Sequence, residues 1–364
     1  MSGGDLLAEL RAKARTRLDP AHWDFYEGGA GAERALAENE RAFRRLALLP
    51  RVLCGRGPAD PAVTLLGDRL ELPVVISPTA FHRLAHPDGE LATARAAAAA
   101  GTVLITSMAA TTAVADVTAA ARAVRPGAAV WFQLYLQPER EVTRALVRRA
   151  EAAGCTALVV TVDSPVFGRR TRDDRNGFHE LPPGLATENM RDLPGAPPGR
   201  TRDIAMSPAL SWDDLRWLRD GTELPIVVKG VLHPRDARRA VDEGVVGLFV
   251  SNHGGRQLDA APASVDALPA VVDAVGGRLP VLLDGGVRTG ADVVTALALG
   301  AAAVGVGRPV LWGLAAEGEA GVARVLAGLR AEVAHVMALC GAGASADLTA
   351  DQVVARGARV VAGC

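Results

Sequence analysis

Eight short runs of apolar, β-branched-rich residues recur along the chain, separated by alanine-rich amphipathic stretches of helical length. The runs are "PVVISPTA" ending near Ala80, "VLITS" near Ser107, "AVWFQLY" at Tyr135, "ALVVTVD" at Asp163, "PIVVKG" at Lys229, "GLFVSNH" at His253, "PVLLDGG" at Asp284 and "AAVGVGR" at Arg308. Intervening segments such as "GELATARAAAAAG" and "TGADVVTALALG" carry helix-start and helix-stop residues at their ends. Continuously apolar strands buried on both faces and alternating with helices predict an α/β protein, a (β/α)8 TIM barrel rather than an open doubly wound sheet. One domain is expected over 1–364, with an N-terminal helical segment over 1–60, the barrel over 73–345 and a lid loop over 171–208.

Composition narrows the partners. The chain has 364 residues, is 49% hydrophobic and 22% charged, and carries a formal net charge of −1, so it has no bulk attraction for nucleic acid or an anionic membrane. A small-molecule partner is expected. The opening "MSGGDLLAELRAKARTRL" is basic and amphipathic but holds Asp5 and Glu9 and lacks the apolar centre of a secretion signal, which predicts a cytoplasmic protein. Cys54, Cys155, Cys340 and Cys364 lack metal-ligand spacing; reduced, mostly structural thiols and no metal site are expected.

In a barrel of this kind the chemistry gathers where the strands' carboxyl ends meet the βα loops, and here all eight runs carry polar residues or glycine at or near that end. "DGGVRTG" and "GVGRP" follow the seventh and eighth runs; their glycines open the main chain to an anion, and Arg288 and Arg308 add charge. That pattern predicts a phosphate site. Only Lys13 and Lys229 are lysine in an arginine-rich chain, so a lysine ending the fifth run calls for a reason. It could stabilise negative charge on a flavin ring, or pair structurally with Asp163 or Asp284. No GxGxxG follows the first run, so a Rossmann-type nucleotide site is not supported.

The stretches "SNHGGRQLD", "DGGVRTG", "TVDSPVFGRR", "FQLYL", "SPTAFHRLAHPDGELATARAAAAAGT" and "LAAEGEAGV" resemble, in family order, those of the FMN-dependent L-2-hydroxy acid oxidases and dehydrogenases. That family includes glycolate oxidase, lactate oxidase and mandelate dehydrogenase. The resemblance implies FMN held by Pro78, Thr79, Ala80, Ser107, Gln133, Thr161, Lys229, Ser251, Asp284, Gly285, Gly286, Val287, Arg288, Gly307 and Arg308. It also implies His253 as the catalytic base, with Asp163 bonded to its imidazole and Tyr135 donating to the substrate. Arg170 and Arg256 would clamp the carboxylate, a task suited to planar guanidiniums. Arg169 reads as a surface charge. Asn252, Gln257 and Asp259 read as residues that position the turn and its helix.

Two departures bear on the substrate. Glycolate oxidase has a tyrosine at Phe25 and a tryptophan at Ala109, so this chain loses a hydroxyl and gains space in the substrate-binding wall. Neutral repacking is the alternative reading of both. The expected reaction is oxidation of an aryl L-2-hydroxy acid, mandelate or 4-hydroxymandelate, to the 2-oxo acid, with O2 reduced to H2O2. His253 would take either the α-proton or the hydroxyl proton. Another electron acceptor, an FMN-barrel isomerase and a catalytically inactive barrel are the rival readings. The segment from Thr171 to Pro208 has no steady apolar period and is expected to be a mobile lid or functional insertion. By resemblance the chain would form a homo-oligomer, a tetramer.

Overall fold

The fold is taken from a computed structural model that describes residues 3–357. Cys364 lies outside the described residues. Three helices come first: α1 (Gly3–Arg17), α2 (Pro20–Glu27) and α3 (Arg34–Arg44). Helix α2 begins where its sequence directs, with Pro20 at the first turn and the Asp19 carboxylate accepting from the Ala21 N–H. The helical preface is shorter than expected. A three-residue strand, Leu46–Leu48, follows α3 and pairs with Val353–Ala355, and residues 49–62 have no regular structure.

The barrel strands are β1 (Val74–Ile76), β2 (Leu104–Ser107), β3 (Val130–Leu134), β4 (Ala157–Thr161), β5 (Ile226–Val231), β6 (Gly247–Val250), β7 (Val281–Asp284) and β8 (Ala303–Val306). Each pairs in parallel with its sequence neighbours, and β8 closes on β1. Strand pairing stops before several of the apolar runs do, which leaves Pro78 to Ala80, Tyr135, Asp163 and His253 in the loops above the barrel.

Alternation divides the strands between two cores. Val75, Ile105, Trp131, Val159, Val227, Phe249, Leu282 and Ala303, one from each strand, fill the lumen. Their neighbours, among them Ile76, Leu104, Phe132, Leu158, Val228, Leu283 and Val304, pack outward in the larger core shared with the helices. The hairpin Val63–Leu65 with Asp68–Leu70 adds Leu65 and Leu70 to the lumen core and plugs its lower end. Helix Arg308–Leu339 leaves β8, breaks at Glu317 and Gly318, and carries α1 along its side.

The segment 171–208 follows β4 and reaches over the barrel's upper end. It holds a short helix, Thr171–Asn176, and a 3-10 turn, Glu188–Met190, whose Asn189 is buried. The Asn189 side chain accepts from the Val114 N–H at 2.8 Å and donates to the Ser107 carbonyl at 3.2 Å, which pins the insertion over the β2 end.

Candidate active site

Two residues beyond each lumen residue, the same face of each strand presents the next layer: Ser77, Ser107, Gln133, Thr161, Lys229, Ser251, Asp284 and Gly305. Seven are polar and buried, and most are hydrogen-bonded to one another. Ser107 Oγ donates to Gln133 Oε1 at 2.9 Å, and Gln133 Nε2 donates to Thr161 Oγ1 at 3.1 Å. Lys229 Nζ donates to Ser251 Oγ at 2.9 Å and lies 3.0 Å from Asp284 Oδ2, which also accepts from Ser77 Oγ at 3.3 Å. Gly305 completes the layer because a Cβ there would sit 2.2 Å from Ser77 Oγ. This polar floor lies under a cavity of about 930 Å³. The structural pairing of Lys229 with Asp284 is therefore present, and Lys229 fronts the cavity from within it.

Beside the floor, the β7 and β8 loops form a corner suited to an anion. Gly285 and Gly286 have φ of 98° and 85°, and a Cβ on Gly286 would meet the Asn39 carbonyl oxygen at 2.2 Å. Only glycine fits, and the main chain there borders the cavity. Arg288 lies within 3.0 Å of Glu40 and over the Trp312 ring, and its buried Nε has no hydrogen bond. Arg308 departs from the simple expectation of a free phosphate ligand. Its guanidinium donates to the carbonyls of Tyr26, Gly254 and Gly28 at 2.9–3.0 Å, bracing α2 against the β6 loop. Burial, followed by the nearby Arg288 charge, pulls its pKa down to about 10. The following helix Gly290–Ala298 is already capped, since Asp292 accepts from the N–H groups of Arg288 and Thr289.

These features fit FMN. The buried Asp284 Oδ1 has no hydrogen bond and could accept from a sugar-alcohol hydroxyl, and Lys229 sits next to it. Gly286, Val287 and Gly307 would offer main-chain donors to the phosphate, with Arg288 supplying charge.

Past the end of β6, His253 has a left-handed backbone, φ 60°, with its N–H donating to Ser251 Oγ at 3.0 Å. Its Nδ1 lies 2.9 Å from Asp163 Oδ1, and its Nε2 lies 3.4 Å from the Tyr135 hydroxyl. Burial alone would raise the Asp163 pKa. The charge and hydrogen bond of His253, the Lys229 charge and the Ser164 hydroxyl outweigh it and hold the carboxyl below its usual range. Gly230 makes room for that carboxylate, since a Cβ there would fall 2.6 Å from the Asp163 side chain. Burial, then the Asp163 charge, raises the Tyr135 phenol, which keeps its proton.

The roof comes from α2 and the insertion. Phe25 is buried, and the guanidiniums of Arg170 and Arg256 stand 5.2 and 5.0 Å from its ring centroid. Phe25 thus does more than omit a hydroxyl: its ring supports both arginines. Phe81 and Phe178 flank it at 5.4 and 5.3 Å. Arg256 Nη1 donates to the Phe25 and Gly28 carbonyls at 2.6 and 2.9 Å, and burial, then the Arg170 and Arg308 charges, lowers its pKa. Arg170 Nε lies 2.7 Å from Asp173 Oδ2, while Arg169 stays exposed at the rim. Arg172 locks the roof together by bonding Asp24 at 3.2 Å and Glu33 at 2.6 Å.

The structure gathers the expected residues around one cavity. Pro78, Thr79, Ala80, Ser107, Ala109, Gln133, Thr161, Val287, Gly307 and the other expected site residues line it, except Asp163 and Ser251, which bond His253 and Lys229. Sequence reasoning missed Ser77, Gly305, Tyr26, Phe81, Phe178 and Asp173. Asn252 and Gln257 do position the turn: Asn252 forms a reciprocal amide pair with Asn39, and Gln257 joins the β4 and β6 loops. Asp259 reaches a different helix, accepting from Ala32 and Ala35 at the start of α3.

Comparison with known proteins agrees with this site. Residues 14–355 match the family model described as FMN-dependent dehydrogenase. The chain is 47% identical to L-lactate oxidase of Nostoc sp. over 94% of its length and 96% of the relative's. It is 47% identical to glycolate oxidase 1 of Oryza sativa subsp. indica, over 94% and 93% of the two chains. Structurally it resembles mandelate oxidase with benzoyl-formic acid, with a TM-score of 0.87, 42% identity and coverage of 94% and 96%. A mandelate oxidase mutant with (S)-mandelic acid gives a TM-score of 0.87 at 41% identity, over 94% and 96% of the chains. The family match spans nearly the whole chain and the cofactor corner has the donors it requires, so the protein is an enzyme of the FMN-dependent dehydrogenase family, with FMN as its cofactor.

Proposed function

We propose that the enzyme oxidises an L-2-hydroxy acid with an aryl side chain, mandelate or 4-hydroxymandelate, to the 2-oxo acid, with O2 reduced to H2O2. The observation that carries the reading is the convergence on one cavity of His253 Nε2, the Tyr135 hydroxyl, the Arg170–Arg256 pair and Lys229. FMN supplies the two-electron acceptor. Arg170 and Arg256 bind the substrate carboxylate, and the protonated Tyr135 donates to the substrate. His253 takes a proton at Nε2, from the α-carbon or the hydroxyl, while Asp163 holds Nδ1 and stabilises the imidazolium. Lys229, lining the same cavity, would supply the positive charge that stabilises a reduced flavin.

The aryl preference is supported by the roof of Phe25, Phe81 and Phe178, by the small Ala109 in the wall, and by the mandelate oxidases among the structural neighbours. A second reading, a small aliphatic acid, is favoured by the higher identity to the lactate and glycolate oxidases. Oxidase rather than dehydrogenase chemistry follows the names of those relatives and the retention of Ala80 beside the cavity. A cytoplasmic homo-oligomer, a tetramer, completes the proposal; among the described residues no helix is long and apolar enough to cross a membrane.

Anaerobic mixing with L-mandelate, L-lactate and glycolate, followed by flavin bleaching, tests the reading. Fastest bleaching by mandelate supports the aryl preference, and fastest bleaching by lactate or glycolate replaces it with the aliphatic reading. Bleaching by none of the three overturns 2-hydroxy acid oxidation. Recovery of colour on admitting air separates oxidase from dehydrogenase.

A further inference from the structure

Arg170 is the last residue before the helix Thr171–Asn176, and Asp173 stands one turn along that helix, where an i, i+3 pair meets. The Asp173 side chain is only 7% exposed, and it borders the same cavity as Arg170 and Arg256. Its Oδ2 lies 2.7 Å from Arg170 Nε, yet neither carboxylate oxygen has an aligned hydrogen bond. A buried carboxylate so poorly satisfied by its own surroundings is costly to the fold and calls for a functional account. Burial raises its pKa, opposed by the charges of Arg170 and Arg256, and Asp174 and Asp24 add to the rise.

The neighbouring charges suggest what this carboxylate does. Arg170 and Arg256 both rest on Phe25, and each guanidinium repels the other. Arg256 is fixed by the Phe25 and Gly28 carbonyls, but Arg170 has no comparable anchor among the described hydrogen bonds. Asp173 is the group that holds it.

We propose that Asp173 is the positioning residue of the carboxylate clamp: it holds Arg170 by the Nε edge, beside Arg256, and leaves the Nη groups for the substrate carboxylate. This rests on the reading of the cavity as a 2-hydroxy acid site. Asp173 touches neither substrate nor cofactor and acts through Arg170. Its negative charge also offsets one of the two guanidiniums, so that the clamp with one bound carboxylate is neutral.

The test uses the FMN-loaded enzyme and its Asp173→Asn and Asp173→Ala variants. Each is titrated without turnover with benzoylformate, a 2-oxo acid, and with mandelamide, which keeps the aryl and hydroxyl groups but lacks the carboxylate, while the flavin spectrum reports binding. Both variants should bind benzoylformate about tenfold more weakly, the order of coupling within one ion-pair network. Mandelamide should bind all three proteins alike, since it does not use the clamp. Both variants should retain FMN and unfold cooperatively, which shows that the pocket is intact while the clamp is altered. Unchanged or tighter benzoylformate binding in Asp173→Asn overturns the proposal, as does equal weakening for acid and amide, which marks general damage to the pocket. A wild-type protein whose flavin responds to no 2-hydroxy or 2-oxo acid overturns the functional reading together with this one. A responsive wild type matched by its variants overturns only the role of Asp173.

Discussion

His253 Nδ1 and Asp163 Oδ1 lie 2.9 Å apart, joining the loop after β6 to the loop after β4 across 90 residues of sequence. The contact fixes which imidazole nitrogen faces the cavity: with Nδ1 on the carboxylate, Nε2 is left toward Tyr135. On the proposed reading His253 is the base, and it depends on this carboxylate for orientation and for stabilising the cation it becomes. Asp163→Asn should therefore lower the rate of flavin bleaching by about 100-fold or more, the usual scale of general acid–base assistance. FMN content should be retained, and stopped-flow absorbance on the loaded variant checks both.

The same carboxylate predicts a pH signature in stability. Its folded-state pKa is depressed, so its contribution is present above the unfolded carboxyl value of about 4 and is lost as the pH falls through the lower folded value. Thermal unfolding of the wild type and Asp163→Asn should differ most clearly near pH 5.5 and converge as the pH drops below about 4. A gap that widens on acidification would contradict the assignment.

Lys229 and Asp284 are both buried in the barrel floor, 3.0 Å apart. Removing one partner leaves the other charge uncompensated, so Lys229→Met should destabilise the FMN-free protein by about 3–5 kcal/mol. The double variant Lys229→Met with Asp284→Asn should recover part of that loss. Urea unfolding of the four proteins measures the coupling, and additive losses would show that the pair is not an energetic unit.

Ala109 is buried and lines the cavity where the sequence reading expected extra space. Ala109→Trp should fill that space, lowering kcat/KM for mandelate at least tenfold relative to lactate, a discrimination of about 1.4 kcal/mol or more. An unchanged ratio would remove Ala109 from any part in specificity.

The sequence made the barrel legible because each strand run had to be apolar on both faces. The same alternation placed the floor residues at a fixed step of two beyond the lumen residues. Six of them, Ser107, Gln133, Thr161, Lys229, Ser251 and Asp284, were expected through family resemblance. Ser77 and Gly305 obey the same step and could have been found from Val75 and Ala303. Asp173 also had a readable signal, its helical spacing from Arg170. The roof was harder to read. Phe178 meets Phe25 from an insertion without periodicity, and Asn39 meets Asn252 across 213 residues. The pairing of Leu46–Leu48 with Val353–Ala355 was hidden because three-residue strands carry too little pattern.

The filled lumen has a consequence for traffic through the enzyme. With Trp131 and Phe249 fully buried below the floor, and Leu65 and Leu70 packed into the same core, the barrel is a closed shaft. Anything that reaches His253 must enter on the side bounded by α2 and the 171–208 insertion, and any product must leave by the same doorway. Exposed Val166 and Phe167 stand on the loop that borders it. The roof that, on the proposed reading, grips one end of the substrate is also the gatepost past which each successive molecule must move, so arrivals and departures have to take turns.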